Sequence, residues 1–350
     1  MRRALVPAAL AAAILALAAN APAAAAQSDI LMRLRSGSPL GDRFRVDSAG
    51  GVIALGSIGI GIIPFSGNGS RMMWYPYKAA FRAGTIDNSA GGWDDAKVGF
   101  YSMSGGLNTT ASGTGSVAFG HTANADGQGA IAIGYRPTAD ADYSVAIGQR
   151  ASANGHAGAI VIADGSTTDS VEASANNQFS VRAAGGYRLF SNATETTGMQ
   201  MSAGGSSWVV ISDRNRKEGF LGVDGEDLLA RLRGIPVTTW RYRDEADRST
   251  LHIGPMAQDW HRAFGFTRDG TTINMSDFDG VNLAAIKALE TRTAAQARRL
   301  EALEAENARL RARETEAAGL RGAVVALRAQ NRSLEERLER LETAAGGQKP

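Results

Sequence analysis

The sequence predicts a two-part protein: a mainly β N-terminal half built as a β-solenoid, then a small α+β domain that runs into a C-terminal coiled-coil helix. Three observations predict it. A phrase recurs at intervals of 14 residues through the middle of the chain, the composition shifts from Gly-rich to Arg- and Leu-rich after Glu218, and the last sixty or so residues carry apolar positions three and four apart. At 350 residues the chain is long enough for several domains, since single cores stop growing below that size.

Residues 1–26 read as a secretory signal: Arg2 and Arg3, an apolar stretch from Ala4 to Ala19, and the small residues Ala24-Ala25-Ala26. A membrane anchor fits less well, because the run is Ala-rich and contains Pro7 and Pro22. The expected location is therefore secreted or cell surface, with no membrane span in the mature chain. Removing Arg2 and Arg3 leaves 35 basic residues against 35 acidic, a balance that offers no polycation to nucleic acid. There are 0 cysteines, so an exported chain of this length has neither disulfides nor thiolates for a metal, and oligomerisation is the expected source of stability. No cofactor and no metal site are expected.

Residues 27–98 read as a β-rich region. Phe44-Arg45-Val46-Asp47-Ser48-Ala49-Gly50-Gly51-Val52 alternates apolar and polar residues into a glycine turn, a hairpin signature. The same phrase returns as Phe179-Ser180-Val181-Arg182-Ala183-Ala184-Gly185-Gly186-Tyr187, which predicts a second hairpin within a connector over 166–210. The dense cluster Arg71-Met72-Met73-Trp74-Tyr75-Pro76-Tyr77-Lys78 suits either a platform for sugar rings or an inter-chain packing segment that caps the first rung, and the second reading is preferred. The neighbouring carboxylates Asp94 and Asp95 read as solvated rather than metal-binding.

Over 99–165 the repeat is in strict phase. Ser102-Met103-Ser104-Gly105-Gly106, Ser116-Val117-Ala118-Phe119-Gly120, Ala130-Ile131-Ala132-Ile133-Gly134 and Ser144-Val145-Ala146-Ile147-Gly148 start 14 residues apart, and Ala111, Ala125, Ala139 and Ala153 keep that interval. Such phase argues against a low-complexity linker. Fourteen residues suffice for two short strands and two tight turns, and a rung of that kind must stack on its neighbours to bury its apolar face. Ala159-Ile160-Val161-Ile162-Ala163 is one residue late and lacks the glycine, as a terminal capping turn often does. The recurring Ser-(Val/Ile)-Ala-Ile-Gly and Ala-x-Ala phrases resemble the head repeat of trimeric autotransporter adhesins. That resemblance implies a left-handed β-roll with three chains in one head.

After Glu218 the pattern predicts a short helix from Asp227 to Leu232, strands at Val237–Tyr242 and Leu251–Ile253, a helix from Met256 to Phe264, and a turn at Asp277–Gly280. A coiled coil follows over 286–345. With Ile286 at heptad position a, Leu310 falls at d, whereas the later leucines make Leu320 a d; the ten-residue interval predicts a stammer or break near Gly319 and Gly322. Asn307 and Asn331 both fall at a, where a buried amide specifies register.

Residues 211–285 contain the blocks that carry chemistry: Ser212-Asp213 with Arg216-Lys217, then His252-Ile253-Gly254-Pro255-Met256-Ala257-Gln258-Asp259, then Val281-Asn282-Leu283. In this order they resemble the C-terminal intramolecular chaperone of endosialidases and phage tail spikes or fibres, an autoproteolytic Ser-Lys peptidase family. The resemblance implies a domain that trimerises, helps the preceding β-rich part to fold as a trimer, and cuts itself off before the motif serine, here at Ile211-Ser212. Ser212 would be the nucleophile of a single-turnover serine autopeptidase and Lys217 its base, since a lysine can take the hydroxyl proton only in its neutral form. Asp213, His252, Gln258 and Asp259 are supporting candidates. The chain departs from the family where Glu218, Gly219 and Phe220 replace the usual Asn and aliphatic residue after the lysine.

The resulting expectation is an exported homotrimer of adhesin or tail-fibre type that self-cleaves once per chain; the ligand of its head, a surface glycan or receptor, is unknown. The alternative is a structural trimeric adhesin with a non-cleaving trimerisation tail. A membrane-anchored autotransporter is disfavoured, because alternating strands for a barrel do not appear in the Glu/Arg-rich C-terminal stretch. An enzyme acting on external glycans would need a pair of acids that the repeats lack.

Overall fold

A computed structural model describes residues 30–37, 41–87, 92–266 and 269–346, so the expected signal segment lies outside the described residues. The chain separates into two compact units, Met1–Ile211 and Ser212–Pro350.

The first unit opens with an antiparallel meander of β1 (Ile30–Ser36), β2 (Gly41–Asp47) and β3 (Val52–Ala54). The hairpin expected at Phe44–Val52 is present: Val46 pairs with Val52, and Asp47 holds the turn by accepting from the Ala49 and Gly51 amides at 3.1 and 2.8 Å. Next come β4 (Gly69–Tyr75) and β5 (Ala80–Ile86), which pair antiparallel. From β5 onward the pairing is parallel. One ladder takes β6 (Met103–Leu107), β8 (Val117–His121), β10 (Ile131–Tyr135), β12 (Val145–Gln149), β14 (Ile160–Ala163) and β16 (Phe179–Arg182). A second ladder takes the two-residue strands between them, β7 (Thr110–Ala111), β9 (Asn124–Ala125), β11 (Thr138–Ala139), β13 (Ala151–Ser152) and β15 (Val171–Glu172). Each residue of β8, β10 and β12 pairs with the one 14 positions away, as Ala118 does with Ala132 and Ala132 with Ala146.

The two ladders face each other across a core made almost wholly of alanine, with Ala118, Ala132 and Ala146 from one side and Ala111, Ala125 and Ala139 from the other fully buried. Small side chains are needed because a rung this short leaves little space between the sheets. Glycine is required for a different reason at Gly134: its φ is +129°, and a Cβ there would lie 2.3 Å from the carbonyl oxygen of Gly148 on the next rung. The same conflict recurs one rung back, at Gly120 against Gly134.

On the outer face of the long ladder the register draws two apolar rows. The first runs Trp74, Phe81, Met103, Val117, Ile131, Val145, Ile160, Phe179, and the second Met72, Ala83, Gly105, Phe119, Ile133, Ile147, Ile162, Val181. Eight strands at about 4.8 Å spacing make each row roughly 34 Å long. Except at Gly105, both rows are at least partly open to solvent in the single chain, Met72 and Phe179 most of all.

The ladder corrects two sequence expectations. Ile160–Ala163 is not the last turn, because β16 continues the pairing through Ile160–Phe179 and Ile162–Val181. The second copy of the hairpin phrase is therefore no hairpin: its first strand bonds the rung below it, while Gly186 starts β17 (Gly186–Phe190) of a separate antiparallel meander with β18 (Gly198–Ser202) and β19 (Val209–Val210). A free parallel edge on β14 wins the strand that the turn would otherwise have folded back. The cluster at 71–78 does cap the ladder, as its outermost strand β4. Asp94 and Asp95 are structural: Asp94 accepts from the Gly67 amide at 2.7 Å, and Asp95 from the Tyr75 hydroxyl at 2.8 Å.

The second unit contains α1 (Gly225–Arg233), the antiparallel pair β20 (Thr238–Trp240) and β21 (His252–Gly254), α2 (Ala257–Phe264) and α3 (Met275–Gly346). Asp224 caps α1 by accepting from the Glu226 and Asp227 amides at 2.9 and 3.2 Å. Leu228, Trp260, Val281 and Ala285 form the core, with Phe264 and Phe278 packed around them. The turn expected at Asp277–Gly280 is instead the first turn of α3, because Asn274 accepts from the Ser276 amide at 2.9 Å and Phe278 is drawn into that core. Nor does α3 break at Gly319 or Gly322; its 72 residues run without interruption for about 108 Å. Two glycines cost a long helix about 2 kcal/mol, too little to interrupt it. Its seam leucines, Leu300, Leu310, Leu320 and Leu334 among them, are exposed along the single chain.

Candidate functional site

Ser212 begins the second unit, directly after the boundary with Ile211. The local chain explains how its side chain meets Lys217. Asp213 accepts from the Asn215 amide at 2.9 Å and from its side-chain amide at 3.1 Å, which starts a single 3-10 turn over Arg214–Arg216. The amides of Arg216 and Lys217 close it by donating to the carbonyls of Asp213 and Arg214, each at 3.1 Å. One turn brings the sixth residue back over the first. Lys217 Nζ donates to Ser212 Oγ at 2.5 Å, and both side chains are exposed in the single chain. Arg214 stacks its guanidinium 5.1 Å from the Phe220 ring, and Gly219 takes the left-handed conformation at φ 68°. The Glu218-Gly219 departure from the family pattern thus lies in a bend just beyond the dyad, where glycine is the least strained residue.

The structure unites Ser212, Asp213 and Lys217 and leaves the other candidates elsewhere. His252 is in β21, stacked on Trp240 with ring centres 4.7 Å apart, and its Nε2 contacts both oxygens of Glu245 at 3.1 and 3.2 Å. Asp259 pairs with Arg262 at 2.8 Å within α2, and Gln258 is exposed on that helix. Among the described residues no hydrogen bond or ion pair joins these three to Ser212 or Lys217. Glu245 escaped the sequence reading because it sits in an irregular polar loop seven residues before its partner, where no periodicity relates the two. Glu226 escaped it too: it bonds Arg292 across 66 residues and ties α1 to α3. That bond holds the Glu226 carboxyl below the usual carboxylate range. Among the described residues no group of three or more His, Asp or Glu is disposed to hold a metal ion, and no helix is long and apolar enough to cross a membrane.

A hydroxyl in contact with an amine, on the residue whose nitrogen forms the Ile211-Ser212 peptide bond, has the parts of a nucleophile and base.

Comparison with known families agrees with the motifs. Residues 212–267 match the family described as chaperone of endosialidase. Residues 111–136 and 138–160 match two copies of the YadA head domain repeat. Both are families that the sequence motifs resemble, and together they place the chain with proteins of adhesin or tail-fibre type that carry a chaperone domain. The first match begins at Ser212, the first residue of the second unit. No curated protein and no solved structure matches the chain.

Proposed function

We propose that this is an exported, trimeric surface protein of adhesin or tail-fibre type, whose second unit assembles three chains and then cuts itself free at Ile211-Ser212. The observation that carries the reading is the Ser212–Lys217 contact of 2.5 Å at the junction of the two units. Assembly is supported by the two apolar rows on the ladder and by the exposed seam of α3, both larger than a solitary soluble chain ordinarily leaves in water.

The step balances as follows. Neutral Lys217 Nζ takes the proton of Ser212 Oγ, and Oγ attacks the Ile211 carbonyl carbon. The Ile211-Ser212 C–N bond breaks, the lysine returns the proton to the departing α-amine, and an ester joins the Ile211 acyl group to Oγ. Water then hydrolyses the ester, leaving a carboxylate on Ile211 and a free amine on Ser212. Each chain reacts once, because the substrate bond is its own.

Mass spectrometry of the purified protein tests both parts. The wild type should give fragments ending at Ile211 and beginning at Ser212, with the first starting near Gln27 if the signal is removed. Ser212→Ala and Lys217→Ala should stay whole. Uncut wild-type chains that still form trimers would sink the peptidase and leave the non-cleaving structural adhesin.

A further inference from the structure

The second unit has an apolar hollow and an apolar segment that do not meet within one chain. The hollow, about 320 Å³, is walled by Leu232, Val237, Ile253, Trp260, Phe278 and Asn282. Trp260 is 1% exposed, and among the described residues its indole N–H has no hydrogen-bond partner. Val237, just before β20, and Ile253 in β21 are both exposed, and a sheet of only two three-residue strands is marginal without a further strand or cover.

The segment is Phe220–Val223. Its side chains are exposed, Leu221 at 89%, and among the described residues no backbone hydrogen bond engages residues 218–223. To reach the hollow of its own chain it would have to double back along α1 from Gly225, where it enters, to Leu232, which lines the hollow, about 10 Å away. No such reversal is needed from a neighbouring chain. Asn282 in the wall is followed by Leu283 and Ile286, which begin the exposed seam of α3, so the hollow is continuous with the surface on which copies would associate.

We propose that the Phe220–Val223 segment of one copy fills the hollow beside Trp260 of a second copy, adding its backbone to the open edge of the β20–β21 pair. Phe220 or Leu221 would supply the apolar filling, and the segment's backbone a third strand for the pair. The arrangement rests on the trimer proposed above and specifies how its chains interlock. It is head-to-tail, each copy giving a segment to the next, which in that trimer makes a closed ring of three.

Because the chain has 0 native cysteines, engineered thiols report without background. In the full-length Leu221→Cys/Ile253→Cys variant, mild oxidation should give covalent dimers and trimers on non-reducing denaturing gels, and either single variant should stay monomeric on the same gel. A disulfide within one chain, or free thiols in both positions, would overturn the proposal. Leu310→Cys in the seam of α3 separates the two readings: if it cross-links and the pair does not, the trimer stands and the interlock falls, and if neither cross-links both fall. A wild-type measurement guards against a misfolded variant. Amides of residues 219–223 should be protected from hydrogen exchange in the assembled protein, and free exchange there would refute the contact. Self-cleavage leaves both partners of the contact on one fragment, so neither test depends on it.

Discussion

Thr122 occupies a left-handed turn at φ 53°, a conformation that a β-branched residue adopts at a cost of about 1–2 kcal/mol. Fourteen residues earlier the same corner is Asn108, also at φ 53°, and asparagine tolerates it. Thr122 is partly compensated by a 3.0 Å hydrogen bond between its hydroxyl and His121 Nδ1, worth about 0.5–1.5 kcal/mol. Thr122→Asn is therefore expected to stabilise the head by about 0.5–1 kcal/mol, read as a higher midpoint in chemical denaturation. A lower midpoint would mean that the hydroxyl bond outweighs the backbone strain. At this scale the sequence is legible where a phrase repeats: phase alone makes Ala118, Ala132 and Ala146 equivalent positions, and the structure shows them to be core. It is illegible where partners meet through irregular chain, as Glu245 and His252 do. Ser212 and Lys217 lie between these cases. Their spacing is common, but Asp213, a ready cap two residues before Asn215, makes the turn that joins them.

At the scale of elements, the last rung shows how a strand is held where the repeat has decayed. Asp164 accepts from the Ala184 amide at 2.6 Å, the Ser166 hydroxyl at 2.7 Å and Arg182 Nε at 2.9 Å, which anchors both ends of the loop that delivers β16. The amide bond first, then the hydroxyl and the guanidinium, hold its carboxyl well below the usual carboxylate range. A lowered carboxyl pKa in the folded state stabilises above the unfolded value near 4, and that contribution is lost as the pH falls below it. The thermal midpoint of the head should thus drop between pH 6 and pH 3, and part of that drop should vanish in Asp164→Asn; equal drops in the two proteins would rule the anchor out. The helices were legible in the sequence to within a few residues, because caps such as Asp224 and amphipathic spacing are local. The unbroken course of α3 was legible only in part, since a ten-residue interval fits a stammer in a continuous helix as well as a break. The reassignment of Phe179–Arg182 has the same origin: a hairpin phrase is local, whereas the edge of β14 that captured the strand comes from far upstream.

At the scale of the molecule, the two apolar rows on the long ladder are the surface through which heads of the proposed trimer would pack. They were not legible as rows until the register was known, although every member was visible as an alternate position in its own strand. Ile133→Asp combined with Ile147→Asp places charges in the middle of the second row, on an outward face that the alanine core does not touch. Circular dichroism should show the β signal of the head kept, while sedimentation shows weaker association, by about tenfold or more in affinity if the row is buried between chains. Unchanged sedimentation would remove the row from any interface.

Pairing of every residue with its counterpart 14 positions on also means that neighbouring rungs are interchangeable parts. A deletion or duplication of one such unit within 117–148 would bring like against like at the join, so the Gly120–Gly134–Gly148 column and both outer rows would close up without a seam. The head's reach is accordingly a matter of copy number, adjustable in steps of about 4.8 Å. A gene that gains or loses repeats would lengthen or shorten the reach and leave the fixtures at either end as they were.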